Sequence, residues 1–579
     1  MKNILIAIRS IFKKGRHNVM KIVSLGIGLA VGLVLIAKVY FEQSYDDFYP
    51  DRDRVYQVWA KYQQNGGELK DYPQTSGGIA PTMQQQIPEI ETVTRYTSFG
   101  DWTFTMTDTK MKYSGRCIIA DSCFFDILPR PMLIGNAKEV LSTPMYVLIS
   151  SRIAKNIGGD VIGKNFTVDN SPGRTMTIGG VFEEVPENSY SRYDVIVSMA
   201  SAGRFMWEGS PTNMLGNDRY ISYVKLHKGV NPLALEEQVR TFVNSYFPPE
   251  EQQKVGLSID FSFHKLDNLH KELPQVKRMT WILSLLAFAL IFTAVMNYIL
   301  IVISSIVNRS KEVAVHKCYG ASENNIHGIM FGEALVHIVL SLILALLLIL
   351  AFRGTVEELL ATSLDSLLLS NGSLVLLGIC ILVFFVSGFM PGSLYARIPV
   401  ASAFRNYREN KRIWKKALLL VQFVATGFLV TMLVFVARQY TFMVNDRPGY
   451  AYENLAYCGL AGVDSTSRAK ILDEVMRLPG VAAATTVYQL PFEHASGNNI
   501  LLPGGTQELF NIADLYWVGN GYLDMMEIPV IQGRSFTENV TNSREVMVDR
   551  RFVEKMKLVA GWTDDVVGKD ICVTEHSKW

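Results

Sequence analysis

Five stretches of the chain are apolar for longer than a soluble core element requires. Residues 23–41, 280–307, 334–352, 373–394 and 417–436 are nearly free of charge, and each approaches the ~20 residues that a helix needs to cross a hydrocarbon core. The second, at about 28 residues, exceeds what a bilayer demands and is expected to project beyond it as a stalk. The first is expected to stay in the mature protein and not to be a cleaved leader. Its apolar run is too long, and Lys38, Tyr40 and Phe41 stand where cleavage needs small residues. Lys38 is then expected near the span's outer end, with its stem snorkelling toward the headgroups.

The intervening segments alternate in shorter periods. Between residues 49 and 270, runs at 54–62, 92–98, 145–150, 176–182 and 220–226 read as strands, and 79–87 and 232–246 as helices. Asn231 is a plausible cap for the second helix, with Pro232 at its first position. Gly66, Gly67, Pro172 and Gly173 mark hairpins or loops. This is mixed α/β structure, expected to carry an inserted subdomain near 102–185. The fold class expected is an α-helical multi-pass membrane protein with large mixed α/β extracytoplasmic domains.

Charge orients the spans. The overall balance, 56 Lys and Arg against 54 Asp and Glu, gives no nucleic-acid footprint. Its distribution says more, because basic residues beside spans stay in the cytoplasm. Lys2, Arg9, Lys13, Lys14, Arg16 and Lys21 precede the first span with no acidic neighbour. Arg309, Lys311 and Lys317 follow the second; Arg397, Arg405, Arg408, Lys411, Arg412, Lys415 and Lys416 precede the fifth. Alternate threading puts all three groups inside, and the acidic connection with Glu357, Glu358 and Asp365 outside. The order expected is a basic amphipathic cytoplasmic N-terminus (1–22), a span (23–41), a first outer domain (42–279), three spans with an inner loop at 308–328 (280–394), a basic inner linker (395–416), a span (417–436) and a second outer domain (437–579).

The second outer domain echoes the first. Ile87-Pro88-Glu89-Ile90 returns as Leu478-Pro479-Gly480-Val481, and Phe125-Asp126-Ile127-Leu128 before Gly135 as Leu523-Asp524-Met525-Met526 before Gly533. Val161-Ile162-Gly163-Lys164-Asn165 returns as Val566-Val567-Gly568-Lys569-Asp570. The shared order points to a tandem duplication. On that pattern the second copy stops early, and about three further spans are expected in a chain of roughly 780 to 800 residues.

Candidate chemistry is sparse. Gly158 to Lys164 has the glycine and lysine spacing of a phosphate loop, but Asn165 replaces the hydroxyl residue that would hold magnesium. A turn between helix and strand is the better reading. The metalloprotease and serine-hydrolase motifs are missing, Glu493-His494 has no partner at metal-ligand spacing, and Asp121 and Asp126 read as caps or surface groups. Cys117 and Cys123 suit either a bridge or two core positions. No catalytic residue, cofactor or metal is expected, so any ATP is hydrolysed by another chain. Inside the spans, Asn297, Glu333 and His337 are costly in lipid and expected to face other helices or water, although Glu333 could also lie at the interface.

The loop after the second span is the most informative. In Asn308-Arg309-Ser310-Lys311-Glu312-Val313-Ala314-Val315-His316-Lys317-Cys318-Tyr319-Gly320-Ala321-Ser322, the apolar positions suit a helix leaving the membrane. Gly320 is its stop and Ser322 the cap of another. Arg309, Lys311, Glu312, Lys317, Gly320 and Ala321 resemble the signature of the FtsX-like permease family, which includes the MacB, LolC and LolE proteins; His316 stands where the family commonly has Arg. Gly180-Val181-Phe182 with Pro186 and Asn188-Ser189 look like the closing strand of a MacB-like periplasmic core domain. The tandem, ATPase-free arrangement resembles permeases of Bacteroidetes-type bacteria. The resemblance implies a permease of the bacterial inner membrane working by mechanotransmission: a separate cytoplasmic ABC ATPase dimer closes beneath the bundle and moves the periplasmic domains. It implies membrane lipid, and a periplasmic or outer-membrane component, as further partners. A lipoprotein, peptide or antibiotic would be the cargo. The rival class is an FtsX-like regulator of a periplasmic cell-wall hydrolase or signalling partner; a secondary transporter would concentrate its mass in many spans. Arg309, Lys311, Glu312, His316, Lys317 and Gly320 are the residues expected to meet the ATPase, with Glu312 steadying the helix toward His316.

Overall fold

The computed structural model describes residues 17–64, 69–168, 171–216, 218–397, 399–400, 413–445, 449–460, 463–491, 496–505, 508–536, 545–563 and 565–573. The expected N-terminal amphipathic stretch, the Gly66-Gly67 joint and the basic residues of 405–412 lie outside them. The chain resolves into two units, Met1–Thr431 and Met432–Trp579.

Five described helices are long and apolar enough to cross a membrane, and each overlaps one of the expected spans, although 280–307 runs past the helix end at Ser304 and 334–352 past that at Ala351. They are α1 (Asn18–Gln43), α4 (Pro274–Ser304), α6 (Glu323–Ala351), α9 (Ser373–Ala396) and α10 (Ile413–Asn445). In the first unit, α1, α4, α6 and α9 share an apolar core that includes Leu25, Leu29, Ile299, Ile338 and Val383. Glycine sets how closely α1 packs. A Cβ on Gly28 would lie 2.2 Å from the Cβ of Ala294 on α4, one on Gly32 2.4 Å from Ile291, and one on Gly26 2.9 Å from Leu344 on α6. Small residues four apart let helix backbones approach where lipid supplies no hydrophobic drive.

Two basic residues depart from expectation. Lys21 sits within α1 and is only 1% exposed, so it belongs to the packed bundle and not to a solvated leader. Lys38 does not snorkel to headgroups. It is 7% exposed and pairs at 2.7 Å with Glu42, one turn further along α1. The acid four residues on supplies the partner that makes burial tolerable.

Between α1 and α4 lies an α/β domain on one 11-stranded mixed sheet. The expected strands appear as β1 (Val55–Gln64), β3 (Ile90–Met106), β6 (Tyr146–Ser150), β8 (Ser171–Phe182) and β10 (Ile221–Leu226). The path runs β11-β1-β10-β3-β4-β9-β6-β8-β5, where β4 is Lys112–Ala120, β5 Met132–Ile134, β9 Val195–Ser198 and β11 Leu257–Lys265. Strand β3 outruns its expected length because the register shifts between Ser98 and Asp101, where Gly100 takes φ 73°. Beyond this bulge it pairs onward with β4 and with β7 (Asn165–Val168). The segment 102–185 supplies β4 to β8, which continue the same sheet on one side and pack around their own core of Trp102, Phe104, Ile149 and Ile178. Helix α2 (Ile79–Gln86) and helix α3 (Glu236–Tyr246) cover Val58, Ala60, Val224 and Phe261. The Asn231 side chain accepts from Leu233 N–H as expected, but the first turn, Pro232–Leu235, is a 3₁₀ helix. Gly158 to Lys164 forms a turn from helix to strand, with Gly158, Gly159 and Gly163 at φ 76°, 66° and 77°. Cys117 is a buried core thiol and Cys123 is half-buried; both are free.

Asp46 begins the domain. It is 1% exposed, holds φ 58°, and accepts from the Ser189 hydroxyl at 2.8 Å and from Tyr190 N–H at 3.2 Å. Burial, outweighing these donors, pushes its pKa up to about 6. Because the folded value exceeds the unfolded one, its stabilising contribution is complete below about pH 4 and is lost as pH rises through about 6. Ionisation at neutral pH then costs on the order of 2–3 kcal/mol. Asp46→Asn keeps an acceptor and tolerates positive φ. It should raise the domain's thermal midpoint at pH 7 and leave it nearly unchanged at pH 4, measured on the full chain in detergent.

The second unit carries a three-stranded sheet, ordered β13 (Glu508–Leu515), β12 (Ser496–Leu501), β14 (Cys572–Val573). Its described helices include α11 (Ser465–Met476) and α12 (Arg550–Ala560), the latter capped by Asp549. Ile500 and Met556 centre its small core.

Candidate functional site

Helix α4 ends at Ser304, and a new helix, α5 (Ile306–Cys318), starts immediately. The break has a side-chain cause. Ser305 N–H bonds to Val302 O at 3.2 Å, three residues back rather than four. The Tyr395 hydroxyl, fully buried near the end of α9, donates to the same carbonyl at 3.1 Å and lies 3.1 Å from Ser305 Oγ. A hydroxyl inserted into the backbone ladder is a recognised origin of a helix break.

Helix α5 has two faces. Ser310, Val313 and Ala314 are buried. Lys311, Val315, Cys318 and Tyr319, spaced i, i+4, i+7 and i+8, form one exposed stripe, with Tyr319 88% exposed. His316 is also exposed and Glu312 is half-buried. Arg309 lies in the first turn; its side chain is outside the described residues. The stop at Gly320 is as expected: at φ 84°, its N–H bonds to Lys317 O and that of Ala321 to His316 O, both at 3.0 Å. This pairing closes a helix through a left-handed residue. Ser322 then accepts from Asn325 N–H and caps α6 as expected, so the helix begins at residue 323, ahead of the apolar run that starts at 334.

Lys317 is engaged within the chain. Its Nζ donates to Ala396 O at 2.7 Å, at the C-terminal end of α9 where a cation also meets the helix dipole. Tyr395 and Ala396 thus hold α5 near its start and near its end. Neither partner was expected from the sequence, since a tyrosine ending an apolar run is ordinarily an interfacial anchor.

The intramembrane polar residues separate. Glu333, His337 and Ser341 recur every four residues on α6 and are 6%, 2% and 0% exposed. Glu333 is therefore packed inside the bundle. The Ser341 hydroxyl donates to Ile22 O on α1 at 3.0 Å. His337 Nδ1 lies 3.1 Å from the Tyr298 hydroxyl on α4. Asn297, beside Tyr298, is half-buried. A polar ladder along α6 fits the expected helix–helix contacts.

Two family models match the chain. Residues 20–242 match the MacB-like periplasmic core domain and residues 284–400 the FtsX-like permease C-terminal domain. The chain belongs to this family of ABC transporter permeases. Among solved structures, a domain of a putative permease protein from Porphyromonas gingivalis is 33% identical, with 38% of this chain and 91% of that one covered at a TM-score of 0.35. The periplasmic region of MacB from Actinobacillus actinomycetemcomitans is 15% identical, covering 38% and 91% at 0.25. The extracellular domain of the noncanonic ABC-type transporter YknZ from Gram-positive bacteria is 11% identical, covering 35% and 98% at 0.25. No curated protein matches.

Proposed function

We propose that the chain is the membrane subunit of a mechanotransmission ABC transporter, in which a separate cytoplasmic ATPase grips α5 and moves the α/β domain in the periplasm. The observation that carries this reading is the exposed Lys311-Val315-Cys318-Tyr319 stripe on a short helix fastened at both ends to a long apolar one. A cation, an aromatic and small apolar groups on one face suit a protein partner with acidic rims. Lys311 and His316 remain at the surface for that contact; Lys317 acts as an internal clasp. Length beyond the bilayer's need, in the 31 residues of α4, suits a stalk. The cargo would be a lipoprotein, peptide or antibiotic.

The same reading makes the second unit a further copy of the first. Gly135 and Gly533 follow short helices at φ 86° and 82°, and Gly163 and Gly568 precede β7 and β14 at φ 77° and 83°. These paired features support duplication and a pseudo-dimeric permease.

The positive-inside rule places the N-terminus and α5 in the cytoplasm. Cysteines introduced at Gly66 and Asp464 should react with an impermeant maleimide on intact cells, and one at Arg408 should not. Modification at Arg408 from outside would reverse the orientation. The function itself is tested by purifying the full chain from its native membranes: an ABC ATPase should copurify in stoichiometric amount. A cell-wall hydrolase in place of an ATPase would make the protein a regulator.

A further inference from the structure

At the end of α1 that leads into the α/β domain, polar groups are buried where an apolar contact would hold the fold as well. Glu42 is 4% exposed and uses its two oxygens in two directions. One meets Lys38 at 2.7 Å; the other meets His270 Nε2 at 2.6 Å, four residues before α4 starts. Lys38 also donates to Thr362 Oγ at 2.7 Å. Thr362 lies between α7 (Arg353–Leu360) and α8 (Leu364–Leu368), the two short helices that join α6 to α9. From the domain itself, Glu187 accepts from both the N–H and the hydroxyl of Ser363 at 3.0 and 3.1 Å, just where Ser363 caps α8.

Buried ion pairs add little net stability, because desolvation offsets their attraction, but they hold a specific geometry. Here that geometry has a consequence. The chain passes covalently between domain and bundle only at α1 and α4. Among the described residues, Glu187 and Lys38 make side-chain bonds between this region and the segment joining α6 to α9. We infer that Lys38, Glu42 and His270, with the Glu187–Ser363 contact, form a transmission joint that passes displacement of the α6–α9 pair to the α/β domain. These are positioning residues. Since α9 also holds α5 through Tyr395 and Ala396, the joint gives movement of α5 a route to the domain. The inference rests on the permease reading above.

The test uses the full chain assembled with its ATPase, with nitroxide labels at exposed Lys138 on the domain and Glu358 on α7. Distances are compared without nucleotide and with ATP plus vanadate. The wild type should show a nucleotide-dependent shift. Glu187→Ala and Lys38→Met should each reduce that shift to less than about a quarter, while ATPase association and hydrolysis stay within about twofold of wild type. Glu187→Gln, which keeps the acceptor oxygen, should retain it. An undiminished shift in both Glu187→Ala and Lys38→Met overturns the inference, as does loss of ATPase association in step with the shift. If no ATPase accompanies the wild type, the permease reading falls and carries this inference with it.

Discussion

Replacing Gly28 and Gly32 together with leucine should separate α1 from α4 and dismantle the packed bundle. The added Cβ atoms would stand 2.2 Å from Ala294 Cβ and 2.4 Å from Ile291. Ala294 Cβ is fixed to its backbone and cannot swing away, whereas Ile291 meets Gly32 with Cγ1 and Cδ1, β-branched side-chain atoms whose rotamers a helix restricts. Overpacking one position costs about 1–3 kcal/mol, and two adjoining positions on one helix crossing leave no room for relief by a small shift. The pair should cost at least about 3 kcal/mol, read as a lower midpoint in detergent-induced unfolding and as new protease sensitivity at 20–45. Gly378→Leu is the control. A Cβ at Gly378 on α9 meets nothing within 4 Å, so leucine there should be tolerated. If the double variant unfolded like the control, close packing through these glycines would not hold the bundle.

The bundle's parts were legible in the sequence to very different degrees. Long apolar runs exposed the five helices, because length and composition alone decide whether a helix can cross lipid. Hydropathy alone does not show the start of α6, because its first turns carry Glu323, Asn324, Asn325 and His327, which lower the local apolar signal. Only the cap at Ser322 betrayed it. The stop at Gly320 was readable because a left-handed residue after a helix favours glycine. Lys317 looks like an outward cation in the sequence because nothing local distinguishes it from Lys311; its partner, the Ala396 carbonyl, is 79 residues away. The surroundings of Lys38 are hidden for the same reason. Its Glu42 neighbour at i+4 was a usable signal, whereas His270 and Thr362 are brought to it only by the fold. Expected strand positions survived well in the α/β domain, but the unity of its sheet did not show in the sequence. Whether strands far apart in the chain share one sheet is decided by pairings such as β4 with β9 and β6 with β8, which no local pattern encodes.

The second large effect concerns α5. Lys311 and Tyr319 lie on its exposed stripe, two turns apart, and make no described bond that the fold needs. Lys311→Glu with Tyr319→Ala reverses one charge and removes one aromatic anchor. Like charges across an interface cost several kcal/mol, and buried aromatics carry a disproportionate share of binding. Loss of affinity for the ATPase should therefore reach about a hundredfold or more, since each 1.4 kcal/mol is a factor of ten. Lys317→Glu is a poorer probe because it also breaks the clasp on Ala396. The most direct measurement is the amount of ABC ATPase recovered with the purified Lys311→Glu/Tyr319→Ala chain relative to wild type, at equal membrane levels and with the α/β domain's thermal midpoint checked in both. Near-complete loss of the ATPase with an unchanged midpoint is the predicted result; wild-type recovery with normal hydrolysis would contradict the assignment of α5 as the coupling element.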